Sequence, residues 1–315
     1  MRSFIFNFKR ETPVLIFVAC IFLACEVGLR LYGTTLSADL RHIREIPQIV
    51  AVHSHADRPT LLFLGNSLTR RGVIPEELMK DLSARGFSNV DIAKIHPDDT
   101  NMADWHYIYK RYVHSAGADP ALLLIGFAEE QLCDSQRIHV DLLGGYFAGF
   151  DAVSEAFHYD VWDFSNRVDY LLDAVSSAYA NRDRVRTQLL GAVIPYYKSS
   201  AQEMNKAIKK HVSVSEIGSY GRYKRLTRFL EFMKKSPTKV VFIAIPVPAH
   251  YPIDPTLESV IKENGSTLID LRRPEGLTEN DYMDNYHLSQ QGGTVFTREL
   301  SRRLLDSAEL RRSLR

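Results

Sequence analysis

The stretch LLFLGNSLTRRGV, residues 61–73, decides how the chain is read. Leu61, Leu62, Phe63 and Leu64 form a short apolar run without polar alternation. Gly65, Asn66 and Ser67 then break it, and the basic pair Arg70 and Arg71 follows. A continuous apolar run that stops at turn residues is the signature of a strand buried on both faces of a parallel sheet. Ser67 therefore falls just past the carboxyl end of a first strand, where open α/β sheets put their ligands. The ordinary reading of Asn66 and Ser67 is a turn or a helix cap. The other reading is a nucleophile, which needs a base within hydrogen-bond reach.

Four further segments repeat the pattern: NVDIAKI (89–95), ALLLIG (121–126), KVVFIAIP (239–246) and STLIDL (266–271). Helical patterns lie between them. PEELMKDLSARG (75–86) begins with Pro75 and stops at Gly86. MADWHYIYKRYV (102–113) puts Trp105, Ile108, Tyr109 and Tyr112 on one face, and residues 289–312 read as a C-terminal helix. Strand–helix alternation predicts an α/β fold with a doubly wound parallel sheet. The interval 127–238 is too long for one crossover. It carries helical patterns near 165–190, 199–212 and 217–235 and the aromatic-rich segment 144–164. It reads as a helical insertion at the open end of the sheet, shaping either a cleft or a packing surface.

The second half of a catalytic pair lies far along the chain. YMDNYHLSQQGG (282–293) follows the last strand and precedes the last helix, which brings Asp284 and His287 to the same sheet edge as Ser67. A histidine there can take the serine proton, and an acid three residues before it can orient the ring and stabilise its cation.

With both segments in view, the sequence resembles the SGNH (GDSL-like) hydrolases. GNSLTRRG resembles their first block, with Asn66 where aspartate is usual, and DNYHL resembles their last, Asp-x-x-His-Leu. The resemblance covers about residues 59–308, interrupted by the insertion. It implies a flavodoxin-like three-layer α/β/α fold and acyl chemistry by a triad of Ser67, His287 and Asp284. The middle blocks depart from the pattern. HPDDTNMADW (96–105) lacks the expected glycine, and GFAEEQL (126–132) lacks the expected asparagine. Asp99 and Asn101 are the replacement candidates for an oxyanion hole, with Gln131 more remote, beside the Ser67 N–H. Arg70, Arg71 and Tyr282 are candidate substrate contacts.

The N-terminal run PVLIFVACIFLAC (13–25) carries no charge and continues to Tyr32, about the 20 residues a spanning helix needs. The expected organisation is a cytoplasmic tail (1–12), a transmembrane anchor (13–32), a linker or stalk (33–58) with a helical stretch around 38–50, and an SGNH-like domain (59–315) with the insertion at about 127–238. A cleaved signal peptide is the alternative, and FLAC (22–25) is a degenerate lipobox-like match. Basic residues flank the run on both sides, so charge leaves its orientation open. An anchored SGNH domain resembles the tethered members that modify cell-surface polymers, such as alginate-acetylation and teichoic acid D-alanyl-transfer proteins. That resemblance implies an inner-membrane protein with a periplasmic or extracellular domain. It also implies a glycan or acyl-donor substrate, and as partner a membrane-bound O-acyltransferase. The expected activity is O-acylation or deacylation of a surface glycan or exopolysaccharide. The alternative is a catalytically degenerate glycan-binding or assembly subunit.

Composition narrows the remaining classes. With 45% hydrophobic and 24% charged residues among 315, the chain can bury a large core. Its net charge of +1 gives no pull toward nucleic acid. No phosphate loop, dinucleotide fingerprint or zinc spacing is present, and no cofactor or metal is expected. The weak metal candidates His53, His55 and Asp57 precede the first strand. His250 is a distant rival to His287, and Glu129 and Glu130 are surface acids by default.

Overall fold

The computed structural model describes residues 8–54, 58–197, 200 and 223–314. They fall into two compact units, one drawn from 42–139 and 214–315 and the other from 1–41 and 140–213.

The first unit is built on five parallel strands in the order β2-β1-β3-β4-β5. They are β1 (Thr60–Leu64), β2 (Asp91–Ile95), β3 (Leu122–Phe127), β4 (Lys239–Ala244) and β5 (Thr267–Asp270), one for each apolar run. Leu61, Phe63, Leu122, Leu124, Val241 and Ile243 share a core with side chains of three helices. These are α3 (Ser67–Gly72), α4 (Pro75–Ala84) and α13 (Gln290–Asp306). The alternate residues Leu62, Leu64, Leu123, Ile125, Val240 and Phe242 are buried as well, as a sheet covered on both faces requires. The remaining helices of this unit include α5 (Met102–Ile108), α11 (Lys224–Met233) and α12 (Pro255–Glu263). This is the doubly wound α/β fold expected from the sequence. The strand order reverses between β1 and β3, so their carboxyl ends border the crevice where such sheets bind ligands.

One local reading is extended and one changes. Within residues 33–58, the helical stretch expected around 38–50 is a 17-residue helix, α2 (Ala38–Ser54). Leu40, Ile43, Ile46 and Val50 recur at helical spacing and are all buried. The C-terminal helix is two helices, α13 and α14 (Ala308–Arg312). Ser307 between them is extended, and its hydroxyl accepts from Leu310 N–H at 3.3 Å.

The second unit contains α1 (Phe8–Tyr32), long and apolar enough to cross a membrane. It also contains α6 (Val140–Leu142), α7 (Val153–Tyr159), α8 (Phe164–Val175), α9 (Ser177–Ala180) and α10 (Arg182–Val193). The pattern at 165–190 is thus split, because Ser176 is extended and caps α9 through its hydroxyl. The pattern at 199–212 lies almost wholly outside the described residues. That at 217–235 is described from Tyr223 and forms α11.

Candidate active site

Ser67 is the first residue of α3, directly after β1. The turn that presents it is tightly built. Asn66 caps α3, its Oδ1 accepting from Leu68 N–H at 3.0 Å, and its Nδ2 donates to the Thr100 carbonyl at 2.9 Å. Asn66 therefore ties the serine loop to the loop after β2. Gly65 is required by close approach, since a Cβ there would fall 2.0 Å from Thr69 Oγ1. Ser67 is left partly exposed, and its N–H, in the first turn of a helix, has no intrahelical carbonyl to serve.

His287 and Asp284 occupy a short loop closed by an antiparallel bridge between Tyr282 and Leu288. Met283 N–H donates to the His287 carbonyl at 2.9 Å. Asp284 Oδ1 accepts from the backbone N–H groups of Tyr286 (2.8 Å) and His287 (2.7 Å). The same carboxylate lies 2.9 Å from His287 Nδ1 through Oδ2, and His287 Nε2 lies 2.9 Å from Ser67 Oγ. Burial pushes the Asp284 carboxyl up, but the bonds from the His287 ring and the two backbone N–H groups outweigh it and hold its pKa below the usual range. An ionised carboxylate has no proton to give. Nδ1 is then the donor to Asp284, and Nε2 is free to accept the Ser67 proton. Residues 220 apart in sequence thus form a continuous Ser–His–Asp relay.

Two glycines that the sequence reading passed over bring α13 close to the elements that carry these residues. Gly292 and Gly293 sit in the first turn of α13, and both are buried. A Cβ on Gly292 would lie 2.2 Å from the Asp281 carbonyl oxygen, and one on Gly293 would lie 2.6 Å from that of Arg71. Only glycine lets α13 approach both the histidine loop and α3. Thr297 fastens the contact, donating to the Gly72 carbonyl at 2.9 Å and accepting from Ile74 N–H at 3.0 Å. The available signal was the Gly-Gly pair inside a helix start, which helix propensity disfavours.

The other candidates are placed as follows. Asp99 adopts a left-handed backbone, φ 58°, of the kind a glycine takes readily and aspartate tolerates. Asn101 caps α5. Its Oδ1 accepts from Ala103 N–H at 3.0 Å, its own N–H goes to Asp104, and its Nδ2 donates to the Arg137 carbonyl at 2.9 Å. Its Oδ1, its backbone N–H and one of its two amide N–H groups are thus engaged by neighbouring structure. Gln131 accepts from Ala128 N–H through Oε1 at 3.0 Å. Arg70 pairs with Asp98 at 3.0 Å, Arg71 is exposed, and Tyr282 packs partly buried against the core. Glu129, after β3, accepts from the Tyr286 hydroxyl and so buttresses the histidine loop. His250 is exposed and is not the partner of Ser67. His53 bonds to Asp91, while His55 and Asp57 lie outside the described residues. No group of three or more metal-ligating side chains occurs among the described residues.

Beside the site, His42 and His96 stack with ring centroids 3.8 Å apart, and His96 N–H donates to His42 Nε2 at 2.9 Å. Burial, reinforced by Arg70 and Lys94, depresses His42 to about 4. Burial, then His42 and Lys94, depresses His96 to about 3. The pair is a neutral packing element at ordinary pH.

An open parallel α/β sheet with a Ser–His–Asp relay at its switch point defines the class of site. No protein-family model matches the chain, and no curated protein matches it. Among solved structures, it is similar to a lipase/acylhydrolase from Enterococcus faecalis, at 11% identity and a TM-score of 0.39, covering 78% of this chain and 95% of that one. It is also similar to an acetylxylan esterase from Geobacillus stearothermophilus, at 12% identity and a TM-score of 0.38, covering 79% and 95%. Similarity this low carries nothing about activity; the chemistry rests on the residues of this chain.

Proposed function

We propose that the chain is a membrane-anchored serine esterase or O-acyltransferase of the SGNH type, acting on acyl groups of a cell-surface or exopolysaccharide glycan. The observation that carries the acyl chemistry is the 2.9 Å approach of Ser67 Oγ to His287 Nε2, with Asp284 behind the ring. The glycan and the extracytoplasmic location rest on the resemblance of the two end blocks to tethered SGNH proteins, together with the apolar helix α1.

Ser67 Oγ attacks the acyl carbonyl carbon while His287 Nε2 takes its proton. Asp284 stabilises the imidazolium. The carbonyl oxygen becomes an oxyanion, for which the Ser67 N–H is a donor; the left-handed turn at Asp99 is the candidate source of a second. Collapse of the intermediate expels the alcohol, which takes the proton from His287, and leaves an acyl group on Ser67. Water or a sugar hydroxyl, deprotonated by His287, then attacks this ester and regenerates the serine. Water gives an esterase and a sugar hydroxyl gives a transferase. In the second case, a membrane-bound O-acyltransferase is the partner that would supply the acyl group.

The test is turnover of an aryl acetate and of an acetylated polysaccharide by the full chain in detergent or nanodiscs. The expected result is activity lost by a factor of about 10⁴ or more in Ser67→Ala and His287→Ala. Activity persisting in both variants would sink the triad. A second reading, a glycan-binding or assembly subunit without catalysis, draws on the glycine and asparagine missing from the middle blocks, with Asn101 engaged in capping α5. It predicts polymer binding that survives Ser67→Ala and no acyl-enzyme with any donor.

A further inference from the structure

Exposed large apolar side chains are distributed unevenly. Outside α1, all of those among the described residues except Val52 and Met283 fall between Phe150 and Tyr196. The most regular set is on α8. Phe164, Val168, Leu172 and Val175 are spaced by four, four and three residues, so they share one helix face, and they are 80%, 40%, 39% and 56% exposed. On the same helix Tyr170 and Asp173 are buried. Just before it stands Trp162, 68% exposed. A contiguous apolar face of this kind marks a contact surface.

Bonds to α1 say what covers it. Arg30 Nη2 donates to the Val175 carbonyl at 3.0 Å. Glu26 accepts from Ser176 Oγ and from the Ser177 and Ala178 N–H groups, each at 2.9 Å. Arg30 and Glu26 pair with one another at 2.6 Å. At about 1.5 Å per residue, they sit about 3 and 9 Å along α1 from its last residue, Tyr32. The end of α8 and the start of α9 are therefore fastened to the last two turns of the apolar helix α1. A groove of about 760 Å³, walled by Gly28, Leu29 and Tyr32 of α1 and Val185, Leu189 and Leu190 of α10, opens at the same level.

From this placement we infer that the apolar face of α8, with Trp162, lies in the interfacial layer of the bilayer that α1 spans. It is a second, peripheral membrane contact of the chain. The inference rests on the reading of α1 as a membrane anchor. A lipid surface fits better than a protein partner because the face is continuous with the span through hydrogen bonds. It also carries the indole and phenyl groups that favour the membrane–water boundary.

The chain has two tryptophans, and the other, Trp105, is fully buried in the sheet unit. Lipid quenching therefore reads Trp162 alone. The full chain is reconstituted into vesicles of phosphatidylcholine and phosphatidylglycerol carrying bromine near the headgroup end of one acyl chain. The expected result is loss of most of the Trp162 emission, taken as the difference from Trp162→Phe. Phe164→Ser combined with Val168→Ser should restore it while the chain stays in the membrane through alkaline extraction. A chain retained after extraction whose Trp162 is unquenched overturns the inference alone. So does quenching that the double variant leaves unchanged, or Trp162 protected only when a partner protein is present. A chain released by alkaline extraction overturns the anchor, and the inference with it.

Discussion

The two units handle their apolar residues in opposite ways. In the sheet unit, Leu61, Phe63, Leu124, Val241 and Phe296 are buried in one core, and only Val52 and Met283 are exposed among the large apolar side chains described. In the other unit, Trp162, Phe164, Val175, Val193 and Tyr196 are all more than half exposed. Closed packing holds side chains in fixed positions, which a catalytic relay requires. Open apolar surface needs a second medium or molecule to cover it. The contrast separates a unit whose residues suit chemistry from one whose residues suit attachment, and each half of that contrast can be broken separately.

The largest effect is expected within the relay. Asp284→Asn keeps the shape of the side chain but removes the charge and allows the wrong histidine tautomer. Turnover should fall by about 10³ to 10⁴, measured as kcat on an aryl acetate, with the fold unchanged by circular dichroism. A small loss would mean that the histidine loop does not use its acid.

Next comes the packing that brings α13 close to the elements carrying the relay. Gly293→Ala places a methyl 2.6 Å from the Arg71 carbonyl oxygen and must push α13 away from α3. The expected cost is about 1–3 kcal/mol of stability. Turnover should fall by roughly 10²-fold, because a shift of about 1 Å misaligns the nucleophile and base. Wild-type kinetics in this variant would show that the relay tolerates slack.

A smaller effect concerns acid stability. His42 and His96 titrate in the folded chain near 4 and 3, below the ordinary 6.5. Between those values the unfolded chain binds more protons, so stability falls as pH drops from about 6.5 toward about 4. The melting temperature should decline over that window, and His42→Gln should flatten the decline. An unchanged slope in His42→Gln would remove the stacked pair from the account.

The smallest effect on chemistry is expected from the other unit. Phe164→Ser with Val168→Ser should leave kcat on a soluble aryl ester within about two-fold of wild type, because both side chains are exposed and neither belongs to the hydrogen-bonded set of Ser67, His287 and Asp284. A large loss would erase the division of labour.

What could be read in advance follows from the range of the interactions. The five strands were legible because each is a short apolar run ended by turn residues, which is local information. Ser67, His287 and Asp284 could be nominated because each lies just past a strand or before a helix, and strand ends share an edge. Gly292, Gly293 and Thr297 matter through contacts with Asp281, Arg71 and Gly72, and the links to α3 cross more than two hundred residues. The Gly-Gly pair at a helix start marks the place, but no local pattern encodes the partners. The same holds for the His42–His96 stack, and for Asn101, whose commitment to capping appears only when Ala103, Asp104 and Arg137 are in place. Helix α2 was legible around 38–50, where Leu40, Ile43, Ile46 and Val50 carry the period, despite its mixed polarity and Pro47 in its interior.

The central claim is that Ser67 is a nucleophile activated by His287. The most direct measurement is the rate and site of labelling of the full chain by a fluorophosphonate, followed by intact mass and peptide mapping. The account predicts one adduct, on Ser67, formed at least about a hundred-fold more slowly in His287→Ala. An adduct on another residue, or equal labelling rates with and without His287, would contradict it.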